Sequence, residues 1–94
     1  RAIRESNGFA MSVSDEDLIE ARDRVANIDG CFLCPEGAAT MTAYEKALSL
    51  KFISKDDKVI LFNCATGLKY PLPEVLNRID KNNEIDYKNF IISP

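Results

Sequence analysis

Histidine is absent from the 94 residues of the chain. Its absence excludes a histidine general base, a Ser-His-Asp triad and any zinc site with an imidazole ligand. No apolar run approaches the roughly 18–20 residues of a membrane span. The opening Arg1-Ala2-Ile3-Arg4-Glu5 lacks the apolar core of a signal peptide. A basic cluster is also missing. With 12 Lys and Arg against 15 Asp and Glu, the net charge is −3, which argues against nucleic acid or an anionic membrane as the main partner. Neither a GxGxxG nor a P-loop pattern occurs, so no phosphate cradle is visible. There is no internal repeat and no linker long enough to divide the chain.

Three cysteines cannot all pair within one chain. The odd count favours a reducing compartment, and the cytoplasm is the expected location. The remaining composition is ordinary for a globular protein, at 46% hydrophobic and 29% charged residues. A chain of this length makes one small domain that buries about 60–65% of its unfolded surface. It begins on arginine within a helical pattern and without a methionine. The expectation is a piece of a larger protein, its function shared with residues outside it.

Ile3 to Ser6 reads as the last turn of a helix, closed by Asn7-Gly8, both tolerant of the left-handed conformation. Phe9 to Val13 reads as a short strand. Ser14 is an N-cap, followed by Asp15, Glu16 and Asp17 where acids suit the helix dipole. Leu18, Ala21, Val25 and Ile28 give that helix an apolar face, and Gly30 stops it. Cys31 to Cys34 reads as a second buried strand, ended by Pro35. Gly37 to Leu50 has a second helical pattern with Ala39, Met41, Tyr44, Ala47 and Leu48 on its broad apolar face. After a polar turn at 51–57, Lys58 to Asn63 is almost continuously apolar, as strands buried on both faces are. The alternation predicts an α/β fold, a three-stranded parallel β-α-β-α-β unit with right-handed crossovers. The whole chain, 1–94, is read as a single α/β fragment with a helical or irregular tail over 72–94. Within the tail, 73–79 reads as a short helix and 85–92 as a segment crossing the surface of the body.

Four places could carry chemistry. Cys31-x-x-Cys34 could bind metal or cycle between thiol and disulfide. A zinc site needs about four ligands, and only one further cysteine exists, so two buried structural thiols are the favoured reading. Glu36 lies where a chain leaves a strand and enters a helix. It could orient a substrate amine or transfer a proton, or it could simply be a first-turn acid complementing the helix dipole. Asn63-Cys64-Ala65-Thr66-Gly67 lies at another strand exit, where small residues let a ligand approach the backbone. Spacing alone favours an ordinary turn there. Lys69 follows, and on a chain leaving the sheet it reads as a surface charge rather than a Schiff-base nucleophile.

The stretches "VSDEDLIEA", "GCFLCPEGAATMTAYEKAL" and "KVILFNCATGLKYP", in that order and spacing, resemble the C-terminal third of the threonine synthase family. These are pyridoxal-phosphate enzymes of the tryptophan-synthase-like fold, fold type II. The resemblance spans about residues 1 to 73. It implies a parent lyase, acting on a carbon–oxygen bond to phosphate, that converts O-phosphohomoserine and water to threonine and phosphate with pyridoxal 5'-phosphate as cofactor. The family pattern at the third stretch is T-G-x-G-L-K, and its first residue meets the pyridine nitrogen of the cofactor. That position is Cys64 here, a thiol in place of a hydroxyl, and the next is Ala65 in place of glycine. Thr66 is the neighbouring candidate if the turn shifts by two. Glu36 is the substrate-proximal candidate, and no catalytic residue or metal ligand is assigned. The family's Schiff-base lysine and its phosphate loop match no segment, so the chain alone is expected to be inactive. Its partner would be the remainder of the parent chain, with the parent forming a homo-oligomer. Related serine/threonine dehydratases share the second stretch and give the alternative function. A stand-alone α/β binding module without cofactor is the third reading.

Overall fold

A computed structural model of the chain describes residues 1–73 and 79–90. Three helices carry the described structure: α1 (Ala2–Glu5), α2 (Asp15–Asp29) and α3 (Pro35–Ser49). Two short 3-10 turns follow, Gly67–Lys69 and Tyr87–Phe90. α2 begins and ends where its sequence says it should. The Ser14 hydroxyl accepts the Asp17 backbone N–H at 3.2 Å, satisfying one of the donors a helix start leaves free. At the other end Gly30 takes the left-handed conformation, φ 67°. α3 starts two residues before its expected start, because Pro35 occupies the first turn, where its missing N–H costs nothing, and Cys34 acts as the cap.

α2 and α3 pack against each other. The fully buried apolar residues among those described are Ala21 of α2, Cys34, and Ala38 and Ala47 of α3. Side chains this small let the two helix backbones approach closely but bury little area each. Polar bridges add to the seam. Arg24 pairs with Glu45, the Thr42 hydroxyl donates to the Asp17 carbonyl at 3.3 Å, and Lys46 donates to the Ser12 carbonyl at 3.0 Å. Arg22, also buried, holds its guanidinium 5.7 Å from the centre of the Phe32 ring. Beyond α3, Phe52 returns to tilt against Phe9, ring centres 5.2 Å apart.

The expected α/β architecture is wrong. Among the described residues there is no parallel sheet, and the three segments read as strands, 9–13, 31–34 and 58–63, form no ladder. The one β-type pairing among the described residues is an isolated antiparallel bridge between Leu33 and Thr66. A strand exists through its partners, and an apolar run without one stays an open segment. The run at 58–63 illustrates this. Its continuity predicted burial on both faces, yet Ile60 is 94% exposed and Phe62 76%. The expected short helix at 73–79 falls largely outside the described residues; of the expected surface segment at 85–92, residues 85–90 are described and carry the 3-10 turn Tyr87–Phe90. The polar stretch between them is a turn, in which the Asp80 carboxylate accepts from Asn82 N and Asn83 Nδ2.

Because the Ser14 cap holds an exposed helix start, Ser14→Ala is expected to weaken the first turn of α2 by about 1 kcal/mol. Hydrogen exchange at the Asp17 amide should accelerate about fivefold while amides in the middle of α3 keep their protection.

Candidate functional site

The start of α3 and the turn at 63–70 meet in one corner, and their contacts are specific. The Cys34 sulfur accepts the Gly37 backbone N–H at 3.3 Å and thereby caps the helix. It donates its own proton to Asn63 Oδ1 at 3.1 Å. Asn63 Nδ2 in turn donates to the Ala65 carbonyl at 2.9 Å. The orientation of this amide follows from the network, since the Ala65 carbonyl demands the NH₂ and leaves the oxygen for the thiol. A continuous path of hydrogen bonds therefore runs from the helix start to the middle of the turn.

Two glycines make the close approach possible. A Cβ on Gly37 would lie 2.0 Å from Asn63 Oδ1. A Cβ on Gly67 would lie 2.7 Å from the Leu33 carbonyl oxygen and 2.9 Å from the Phe32 ring. The Gly67 N–H donates to the Phe32 carbonyl at 3.0 Å, which fastens the turn a second time. The Thr66 hydroxyl oxygen then accepts from Leu68 N and starts the 3-10 turn.

The third fastening is between side chains. The Tyr70 hydroxyl sits 3.0 and 3.1 Å from the two Glu36 carboxylate oxygens. The backbone amide of Glu36 itself, then the Tyr70 hydroxyl, and more weakly the Cys34 thiol, hold the Glu36 pKa below its ordinary 4.5 against the opposing pull of desolvation. Glu36 correspondingly raises Tyr70 above its ordinary 10.0, with desolvation and the nearby Cys34 and Cys64 thiols acting in the same direction.

The sequence-predicted candidates separate accordingly. Glu36, Ala65 and Thr66 come together in this corner. Cys64 lies on the same turn, and its exposed thiol is engaged by none of the hydrogen bonds among the described residues. Lys69 is exposed, in keeping with a surface charge. The CxxC pair divides, with Cys34 buried as expected and Cys31 exposed, correcting the reading of two buried thiols. The capping role of Cys34, the bond it makes to Asn63 and the pairing of Tyr70 with Glu36 were missed. A helix cap is ordinarily Ser, Thr, Asp or Asn, so only the following Pro35 signalled a cap at Cys34. Nothing in the spacing linked Asn63 or Tyr70 to a residue 29 or more positions upstream. A groove of about 690 Å³ on another part of the surface is lined by Asp17, Glu20, Arg24, Glu45 and Lys46, among others. Its charges are largely satisfied by one another or by backbone, which leaves little for a ligand.

From the depressed Glu36 and raised Tyr70 follows a pH window. Their contact stabilises the corner in full between the ordinary values of 4.5 and 10.0. The Glu36 contribution is lost as pH falls through its lower folded value, and the Tyr70 contribution as pH rises through its higher folded value. Chemical shifts of Gly67 and Tyr70 amides should move at both edges of this window and hold steady within it. Gly37→Ala, normally favourable in a helix by about 1 kcal/mol, is expected to destabilise the corner instead. Thermal denaturation should show that loss recovered in the Gly37→Ala/Asn63→Gly double variant, which removes the obstructing side chain.

Comparison with known proteins places this corner in context. No family model and no solved structure matches the chain. The threonine synthase of Methanocaldococcus jannaschii is 33% identical over 70 residues, 74% of this chain and 17% of that protein. The threonine synthase of Methanosarcina acetivorans is 34% identical over 70 residues, with the same shares. Threonine synthase 2, chloroplastic, of Arabidopsis thaliana is 30% identical over 69 residues, 73% of this chain and 13% of its own length. The chain thus spans less than a fifth of the curated relatives it matches, and about three quarters of it is a threonine synthase-like region.

Proposed function

We propose that this chain is part of a threonine synthase, the pyridoxal-phosphate lyase that converts O-phosphohomoserine and water to threonine and phosphate. Its contribution is one wall of the cofactor site, made by Cys64, Ala65 and Thr66. The observation that supports this most directly is the fastening of the 63–67 turn to the start of α3, which leaves the Cys64 thiol free and presented on a fixed backbone. The side chains suit a neutral pyridine nitrogen. Cys64 offers a weak donor and acceptor, and Thr66, whose oxygen already accepts from Leu68 N, keeps its proton to donate. Neither carries a charge that would protonate a ring nitrogen. When bound, the cofactor supplies the electron sink for carbanion chemistry. The residues of this chain orient the ring edge and limit its protonation, and Glu36 stands at the opposite side of the corner as an anion. The Schiff-base lysine and the phosphate loop would come from the remainder of the parent chain, the partner without which this chain is inactive.

The complete protein loaded with pyridoxal 5'-phosphate is expected to release phosphate from O-phosphohomoserine with threonine as co-product. Formation of a 2-oxo acid and ammonia instead would assign it to the dehydratases. Cys64→Ala should lower kcat/KM about tenfold, the loss of roughly one hydrogen bond, and Cys64→Ser should retain activity. Unchanged kinetics in Cys64→Ala would remove Cys64 from the cofactor wall.

A further inference from the structure

The corner contains a pair that the cofactor wall does not use. Tyr70 and Glu36 come from segments 34 residues apart, yet one hydroxyl meets both carboxylate oxygens, at 3.0 and 3.1 Å. Both ends of the pair are fixed by backbone. Glu36 follows Pro35 in the first turn of α3, and the Cys34 cap holds that turn. Tyr70 N–H donates to the Gly67 carbonyl at 3.1 Å, and Gly67 itself is pinned between Phe32 and Leu33 with no room for a Cβ. Neither side chain is the free end of a mobile loop. A surface carboxylate normally samples several rotamers, and here a rigid aromatic donor selects one.

We propose that Tyr70 is the positioning residue for Glu36, holding its carboxylate in one orientation as a fixed anion that receives a hydrogen-bond donor or cationic group of the substrate. The proposal rests on the reading of this corner as part of the substrate and cofactor site. It decides between the two roles open to Glu36. A carboxylate that accepts the Tyr70 hydroxyl is stabilised as the anion, which suits it to orient a donor and makes it a poor proton carrier near neutrality. The titratable groups facing the pair are Cys34 on the helix side and Cys64 on the turn side. The Tyr70 hydroxyl donates to both Glu36 oxygens, so Glu36 is the acceptor and the anion of the pair.

Tyr70→Phe removes only the hydroxyl and keeps the ring, so packing survives. In the complete protein, ¹³C NMR of the glutamate carboxyls should show the Glu36 midpoint rising in Tyr70→Phe while other glutamates stay in place. The Tyr70 ring carbon should titrate at lower pH in Glu36→Gln. Identical Glu36 titration in wild type and Tyr70→Phe overturns the proposal. In kinetics, the acid limb of the kcat/KM profile should move to higher pH in Tyr70→Phe and disappear in Glu36→Gln. An unmoved limb, with the NMR shift present, removes Glu36 from the substrate's path and also overturns it. The two readings fail separately. A wild-type protein that turns over a different amino-acid substrate, with the same Tyr70-dependent limb, sinks the threonine synthase assignment and supports the role of Tyr70.

Discussion

The sulfur of Cys34 is the point on which the corner depends. It is fully buried, closes the start of α3 by accepting from Gly37, and donates onward to Asn63. Removing it would leave the N–H of the buried Gly37 and the Asn63 amide oxygen without their partner. Serine is the commoner cap, but here the larger sulfur reaches both partners, at 3.3 and 3.1 Å. The protonation state is fixed by the same geometry. With the Asn63 NH₂ committed to the Ala65 carbonyl, only oxygen faces the sulfur, and the sulfur must carry the hydrogen.

From that point order spreads in two directions. Along α3 it meets the alanine-lined seam with α2, where small side chains permit close helix packing but supply little buried area. Along the turn it reaches Ala65, Thr66 and Gly67, whose backbone is fastened to Phe32 and Leu33. Immediately upstream, Val59 to Phe62 is exposed despite being the most apolar run in the chain. Stability is therefore concentrated at the corner rather than in a broad core. Local free energies of opening should differ sharply between the two, as they do wherever buried contacts are unevenly distributed.

Much of this was legible in the residues. The Ser14 and Gly30 boundaries of α2 follow from local chemistry, because capping and left-handed closure involve neighbours in sequence. The likeness to threonine synthase was readable from three ordered stretches. The sheet was not correctly inferred, because apolar continuity reports what a segment could bury and says nothing about whether a partner lies beside it. Cys31-x-x-Cys34 failed for a related reason. Spacing treats its two thiols as equivalents, while the helix start makes one a cap and leaves the other in solvent. The Glu36–Tyr70 contact lay beyond reach altogether, since it depends on the path of the chain across a separation of 34 positions.

The departures of this turn from its relatives' pattern acquire a physical sense in that setting. Glycine at position 65 would leave the backbone free to rearrange, and alanine restricts it, while the Ala65 carbonyl is the acceptor that orients Asn63. A turn held by its own backbone carbonyl can present a weaker donor and still fix its direction. Orientation then compensates for strength: the thiol of Cys64 makes a poorer hydrogen bond than a hydroxyl, but it is carried on a segment fastened at Asn63 on one side and Gly67 on the other. On the proposed reading, the entropy of ordering is met in folding rather than at binding, so little of a weak bond's energy would be spent in forming it. The same logic governs Glu36, whose partner Tyr70 is anchored through Gly67. Both candidate contacts to a ligand are thus side chains of modest intrinsic strength on a rigid mount, and the mount is the sulfur-centred junction of α3 with the turn.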